Sequence, residues 1–142
     1  MTRAITSGGS TSSDSEARST LAYARARAYR SSDPFAWSNL AAVYATADPP
    51  DLKRARHWYR RAALKGDDRG LLEYGLMLIQ GEGGPRRPAN GRRYLERAAA
   101  MGQIDALKVL AYGLANGGYS YQPSRKKAQA IERALRRALA RQ

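Results

Sequence analysis

The stretch WYRRAALKG at 58–66 returns, one repeat later, as YLERAAAMG at 94–102. The offset is 36 throughout: Trp58 stands over Tyr94, Ala62 over Ala98, Ala63 over Ala99 and Gly66 over Gly102. The register continues through Gly70 over Ala106, Tyr74 over Leu110, Gly75 over Ala111 and Gly81 over Gly117. Backward along the chain, Ala36, Leu40, Ala41 and Tyr44 match Gly70, Tyr74, Gly75 and Leu78 at an offset of 34, because the intervening loop is shorter. Periods of this length mark a solenoid, in which each helix pair buries its apolar face against its neighbours. Small residues at the paired positions let helix backbones approach closely, while Trp58, Tyr94, Tyr44 and Leu110 fill the space between layers. Gly66 and Gly102 fall where a helix C-terminus needs a left-handed residue.

Outward from the repeat, Ala, Leu, Arg and Tyr recur at spacings of three and four, and β-branched residues are scarce. This predicts an all-α chain of about seven helices, near 15–30, 34–47, 51–65, 68–80, 88–101, 103–116 and 123–141. The breaks carry their own chemistry. Ser32 or Asp33 caps the helix that opens at Pro34, Asp51 follows a Pro-Pro turn, and Gly66-Asp67-Asp68 joins a C-terminal glycine to a capping carboxylate. Each helix is too short to stand alone in water, so packing must hold them. Residues 1–13 are rich in Ser, Thr and Gly and predict a disordered tail; residues 14–142 form a single repeat domain with flanking capping helices.

The pattern Ala55, Trp58, Tyr59, Ala62, Ala63, Gly66, Asp67, then Tyr74-Gly75 and Gly81-Glu82-Gly83-Gly84-Pro85, resembles a Sel1-like repeat. Trp37-Ser38-Asn39-Leu40-Ala41 through Tyr44 is similar to the first helix of the related tetratricopeptide repeat. The resemblance covers residues 34–118. The next repeat departs from it, with Gly91 for the usual Ala, Leu95 for the second aromatic, and a different loop at 116–119. It implies a right-handed α-solenoid, with A helices lining a concave surface and B helices outside. It also implies a bacterial adaptor or scaffold that holds partner proteins.

Composition bounds the chemistry. The chain has 142 residues and 25 Lys plus Arg against 12 Asp plus Glu, a net charge of +13. Without cysteine there is no disulfide framework and no thiolate site, which fits a cytoplasmic location. No apolar run approaches the roughly 18 residues of a spanning helix, and the N-terminus has no apolar signal region. His57 is the single histidine, ringed by arginines with no carboxylate three or four residues away. The glycines of 81–91 lack G-K-[ST] and read as the repeat's turn. No catalytic set, metal spacing or cofactor motif emerges, so the expectation is a protein that is not an enzyme and holds no metal or cofactor.

The positive charge collects on the B helices and the last helix: Arg54, Arg60, Arg61, Arg92, Arg93, Arg125, Lys126, Lys127, Arg133, Arg136 and Arg137. In the implied geometry this is a basic convex surface. Groove-lining positions on the nearly neutral A helices are Phe35, Ser38, Arg69, Leu72, Leu76, Ile79, Gln80, Lys108, Tyr112 and Asn116. Leu72, Leu76 and Ile79 follow helical spacing off the repeat core and suggest an apolar stripe for a bound peptide. Three roles remain open: an interaction module that binds a protein or peptide, expected to be acidic, on its concave face; an immunity or antitoxin-type protein that neutralises an acidic toxin; and a basic nucleic-acid-binding accessory. For the last, Tyr119 and Tyr121 near Arg125–Lys127 are the candidate stacking aromatics.

Overall fold

Every break in the repeat ends a helix in the computed structural model. The helices are α1 (Thr2–Arg30), α2 (Pro34–Thr46), α3 (Leu52–Leu64), α4 (Asp68–Gln80), α5 (Pro88–Ala100), α6 (Ile104–Asn116) and α7 (Arg125–Ala140). The structure describes residues 13–142 in full and, of residues 2–12, the backbone alone. The tail expected over 1–13 therefore lies outside the fully described residues, Ser13 excepted. No strand occurs among the described residues.

Local chemistry explains the boundaries. The carboxylates of Asp33, Asp51 and Asp67 accept from the amides of Phe35, Arg54 and Gly70, and the Ser124 hydroxyl accepts from Lys127, each capping a helix N-terminus. At the other ends, Gly66 and Gly102 adopt φ of 81° and 84°, the left-handed conformation that ends a helix without steric cost. The repeat is written into the backbone bonding as well. Gly66 N–H donates to Ala63 O and Asp67 N–H to Ala62 O; 36 residues on, Gly102 donates to Ala99 O and Gln103 to Ala98 O.

Helices pack chiefly on their neighbours in sequence, from α1 on α2 through to α6 on α7, with α2 also touching α4. One hydrophobic core runs the length of the stack from Ala24 to Ala138. Its spacing depends on small residues. A Cβ added at Gly70 would lie 2.7 Å from the Ala63 amide nitrogen, and one at Gly91 would lie 2.6 Å from Gly75 O and 2.7 Å from Ile79 Cγ1. The Gly91 that departs from the repeat pattern is thus a point of close approach between α4 and α5.

Aromatic residues lock the first three helices together. The Trp37 indole N–H donates to Ala28 O and Ser31 O, both at 3.2 Å. Tyr29 meets Trp58 edge-on at 5.4 Å. Arg61, expected on the basic surface and exposed there, places its guanidinium 4.5 Å from the Trp37 ring and 4.8 Å from Trp58. That stacking draws on the attraction between a cation and an aromatic face. The glycine-rich turn at 81–87 is tied down by Arg56, which donates to Glu82 O and Pro85 O.

Candidate functional site

The repeat register places equivalent positions of α2, α4 and α6 in columns. Phe35, Arg69 and Asp105 form one column of exposed residues; Thr46, Gln80 and Asn116 form another. Ala42, Leu76 and Tyr112 form a third, half-buried in the first two and exposed at Tyr112. These columns are the part of the expected groove that reaches solvent, and Lys108 joins them.

Three expected groove residues do not line it. Ser38, Leu72 and Ile79 are 0%, 6% and 3% exposed. Ile79 is seated against Gly91, where the missing side chain leaves room for it. The Ser38 hydroxyl is taken up by Asp67, the capping carboxylate of α4, which also accepts from Gly70 N–H. One repeat on, Leu72 and Gln103 occupy the corresponding positions. Gln103 gives α6 no side-chain cap, and its Oε1 is buried without a hydrogen-bond partner. With Leu76 half-buried, the apolar stripe of Leu72, Leu76 and Ile79 belongs to the core rather than to an open groove.

The electrostatics of this face centre on Glu73. Burial pushes its carboxyl above the ordinary range, and nearby Glu82 and Asp105 push the same way, while Arg69 opposes them. Burial also pushes the Tyr59 hydroxyl up to about 12, with the Glu73 charge adding to the shift.

A cleft of about 530 Å³ opens between the ends of α4 and α6, lined by Ile79, Gln80, Arg86, Tyr112, Gly118, Tyr119 and Ser120. Tyr112 is 58% exposed and meets Tyr119 edge-on at 6.1 Å. Tyr119 and Ser120 both have positive φ, 56° and 61°, a conformation that side chains disfavour. Two arginines hold that turn. Arg86 donates to Ile79 O at 2.9 Å and to Ser120 Oγ at 3.2 Å, and Arg92 donates to Ser120 O at 3.0 Å. Arg86 and Ser120 were not marked by the sequence, because their meeting depends on a contact across 34 residues.

Tyr121 is not a free stacking platform. It is half-buried, its hydroxyl donates to Glu96 Oε1 at 3.0 Å, and Arg92 lies 5.9 Å from its ring. Burial and the Glu96 carboxylate hold its hydroxyl protonated well above the usual range.

The expected basic surface is divided among several roles. Arg54 pairs with Asp51 at 2.7 Å, and these hydrogen bonds lower the Asp51 carboxyl. Arg92 is half-buried against the 118–121 turn. Arg125, Lys126, Lys127, Arg133, Arg136 and Arg137 are exposed along α7. Arg60 and Arg93 line a second cleft, of about 580 Å³, together with Arg87 and Arg97. The spacing of Arg93 and Arg97, one helical turn apart beside Tyr94, was a legible signal for that cleft.

Among the described residues, no group of three or more His, Asp or Glu side chains is placed to hold a metal ion. No helix among them is long and apolar enough to cross a membrane. His57 packs edge-on against Trp58 at 5.4 Å.

No protein-family profile and no curated protein matches this sequence. Among solved structures, the chain is similar to a Sel1 repeat protein from Oxalobacter formigenes, with a TM-score of 0.71 at 22% identity. The match covers 81% of this chain and 46% of that one, so the chain spans about half the length of this neighbour. Seven helices stacked in sequence among the described residues, a 36-residue register in both side chains and backbone bonds, and this likeness together make the fold an α-solenoid like that of the Sel1 repeat protein.

Proposed function

We propose that the chain is a non-catalytic interaction module that binds a partner protein or peptide on the exposed face of α2, α4 and α6. The binding centre is the cleft at the ends of α4 and α6. The observation that carries this reading is the strained Tyr119–Ser120 turn, held by Arg86 and Arg92 beside the exposed Tyr112. Backbone strain persists where the surrounding structure over-determines it, and it concentrates at binding sites. Tyr112 and Tyr119 supply aromatic anchors; Gln80 in the cleft and Asn116, exposed in the same column with its Nδ2 donating to Tyr112 O, supply amides for a peptide backbone. Solenoids offer such extended faces to partners, although fold by itself names none.

A displayed peptide library selected on the full chain tests this. Selected peptides are expected to lose about tenfold or more in affinity when Tyr112→Ala and Asn116→Ala are combined, with an unchanged unfolding midpoint. Peptides that bind the double variant as tightly as the parent chain would place the interaction elsewhere.

A further inference from the structure

Arg60 from α3 and Arg87, Arg93 and Arg97 from the start and body of α5 surround one cleft of about 580 Å³. All four are exposed, and no carboxylate lines the space. Several other arginines have partners: Arg54 on Asp51, Arg56 on two carbonyls, Arg61 on two tryptophans, Arg86 and Arg92 on the 118–121 turn; those of α7 are exposed along a helix and converge on no cleft. The four in the cleft make no side-chain hydrogen bond or ion pair among the described residues. Arg87 is also the N-cap of α5 and offers its first-turn amides no side-chain acceptor. The positive end of that helix therefore adds to the same field.

We propose that this cleft binds a small ligand carrying a di- or triphosphate group. Like charges crowded around one concavity repel one another until an anion enters, and the guanidinium fork matches phosphate oxygens bidentately. Charge density selects the class of anion. An extended acidic peptide presents a same-face side chain only about every 6.8 Å, so a length of that order carries one or two carboxylates. A triphosphate brings about three to four charges into the same length. The volume lies in the usual range for small-molecule sites. Half-buried Tyr94 and buried Tyr74, edge-on to each other at 5.0 Å, also line the cleft and offer aromatic surface for the remainder of the ligand. The site uses no residue of the proposed partner-binding face, so the two proposals stand or fall separately.

Calorimetric titration of the full chain with inorganic tripolyphosphate, in about 150 mM salt, tests the proposal. The expected result is saturable binding at one site, weakened at least about tenfold by Arg93→Gln with Arg97→Gln. Arg133→Gln with Arg136→Gln removes the same charge from α7 and is expected to leave the affinity unchanged. Arg60→Gln with Arg87→Gln repeats the test from other elements should the first pair fail to fold. Orthophosphate and hexaglutamate are expected to bind at least about tenfold more weakly than tripolyphosphate. The proposal is overturned by absence of saturable binding, by equal loss in the α7 pair, or by either comparison anion binding as tightly.

Discussion

Glu73 shows how one residue can set a pH dependence for the whole stack. Its ordinary carboxyl value is near 4.5, and burial among Glu82 and Asp105 raises it in the folded chain despite Arg69. Above the ordinary value the folded form keeps a proton that the unfolded form has released, so stability falls as pH rises through that window. The contribution is complete below the unfolded value and lost above the folded one. Glu73→Gln removes it. Urea midpoints between about pH 4 and 7 should show the parent chain losing stability relative to the variant as pH rises. A constant difference between the two would mean that Glu73 titrates normally. At the same scale, Ser38 was read as a groove residue from its helical position, yet its hydroxyl belongs to the cap of the next helix. A serine's partner 29 residues away is invisible to local spacing.

Between elements, the decisive contact is the crossing of α4 and α5. Gly75 and Gly91 face one another, and Ile79 fills the space that Gly91 leaves. Gly91→Ala would set a methyl group against Gly75 O and Ile79 Cγ1, forcing backbone as well as side chain to move. A loss of about 1–3 kcal/mol is expected by chemical denaturation, the usual cost of overpacking a tight contact. Retained stability would show that the two helices can separate without penalty. This crossing also explains why the apolar stripe was misread. Ile79 lies off the repeat core by sequence register, and the space left by Gly91 takes it in; Leu72, at the position equivalent to buried Ser38, is buried as well. The helix ends themselves were legible, because Asp33, Asp51, Asp67, Gly66 and Gly102 act through bonds to residues two to four positions away.

Across the whole molecule, contacts run mainly between successive helices, so stability is expected to be graded along the stack rather than uniform. α3, α4 and α5 each pack between two neighbours, whereas α7 packs mainly on α6. Native-state hydrogen exchange should find the strongest protection in the central helices and the weakest in the two terminal helices, α1 and α7. Equal protection throughout would mean a single cooperative unit. The net charge of +13 also looks different at this scale. Part of it is structural, part coats α7, and four arginines converge on one cleft.

The sequence by itself determined the all-α class, the order of the helices, the ends of α2 to α7 and the repeat that stacks them, while α1 begins at Thr2 rather than near residue 15. Periodicity, caps and turn residues act over a few positions, and the repeat supplies its own internal alignment. Tertiary structure alone decided which helix faces stay open, which arginines are occupied, and where Tyr119 and Ser120 are strained. Those outcomes depend on how closely backbones approach and on side chains meeting partners some 26 to 34 residues away. No local pattern encodes such a distance.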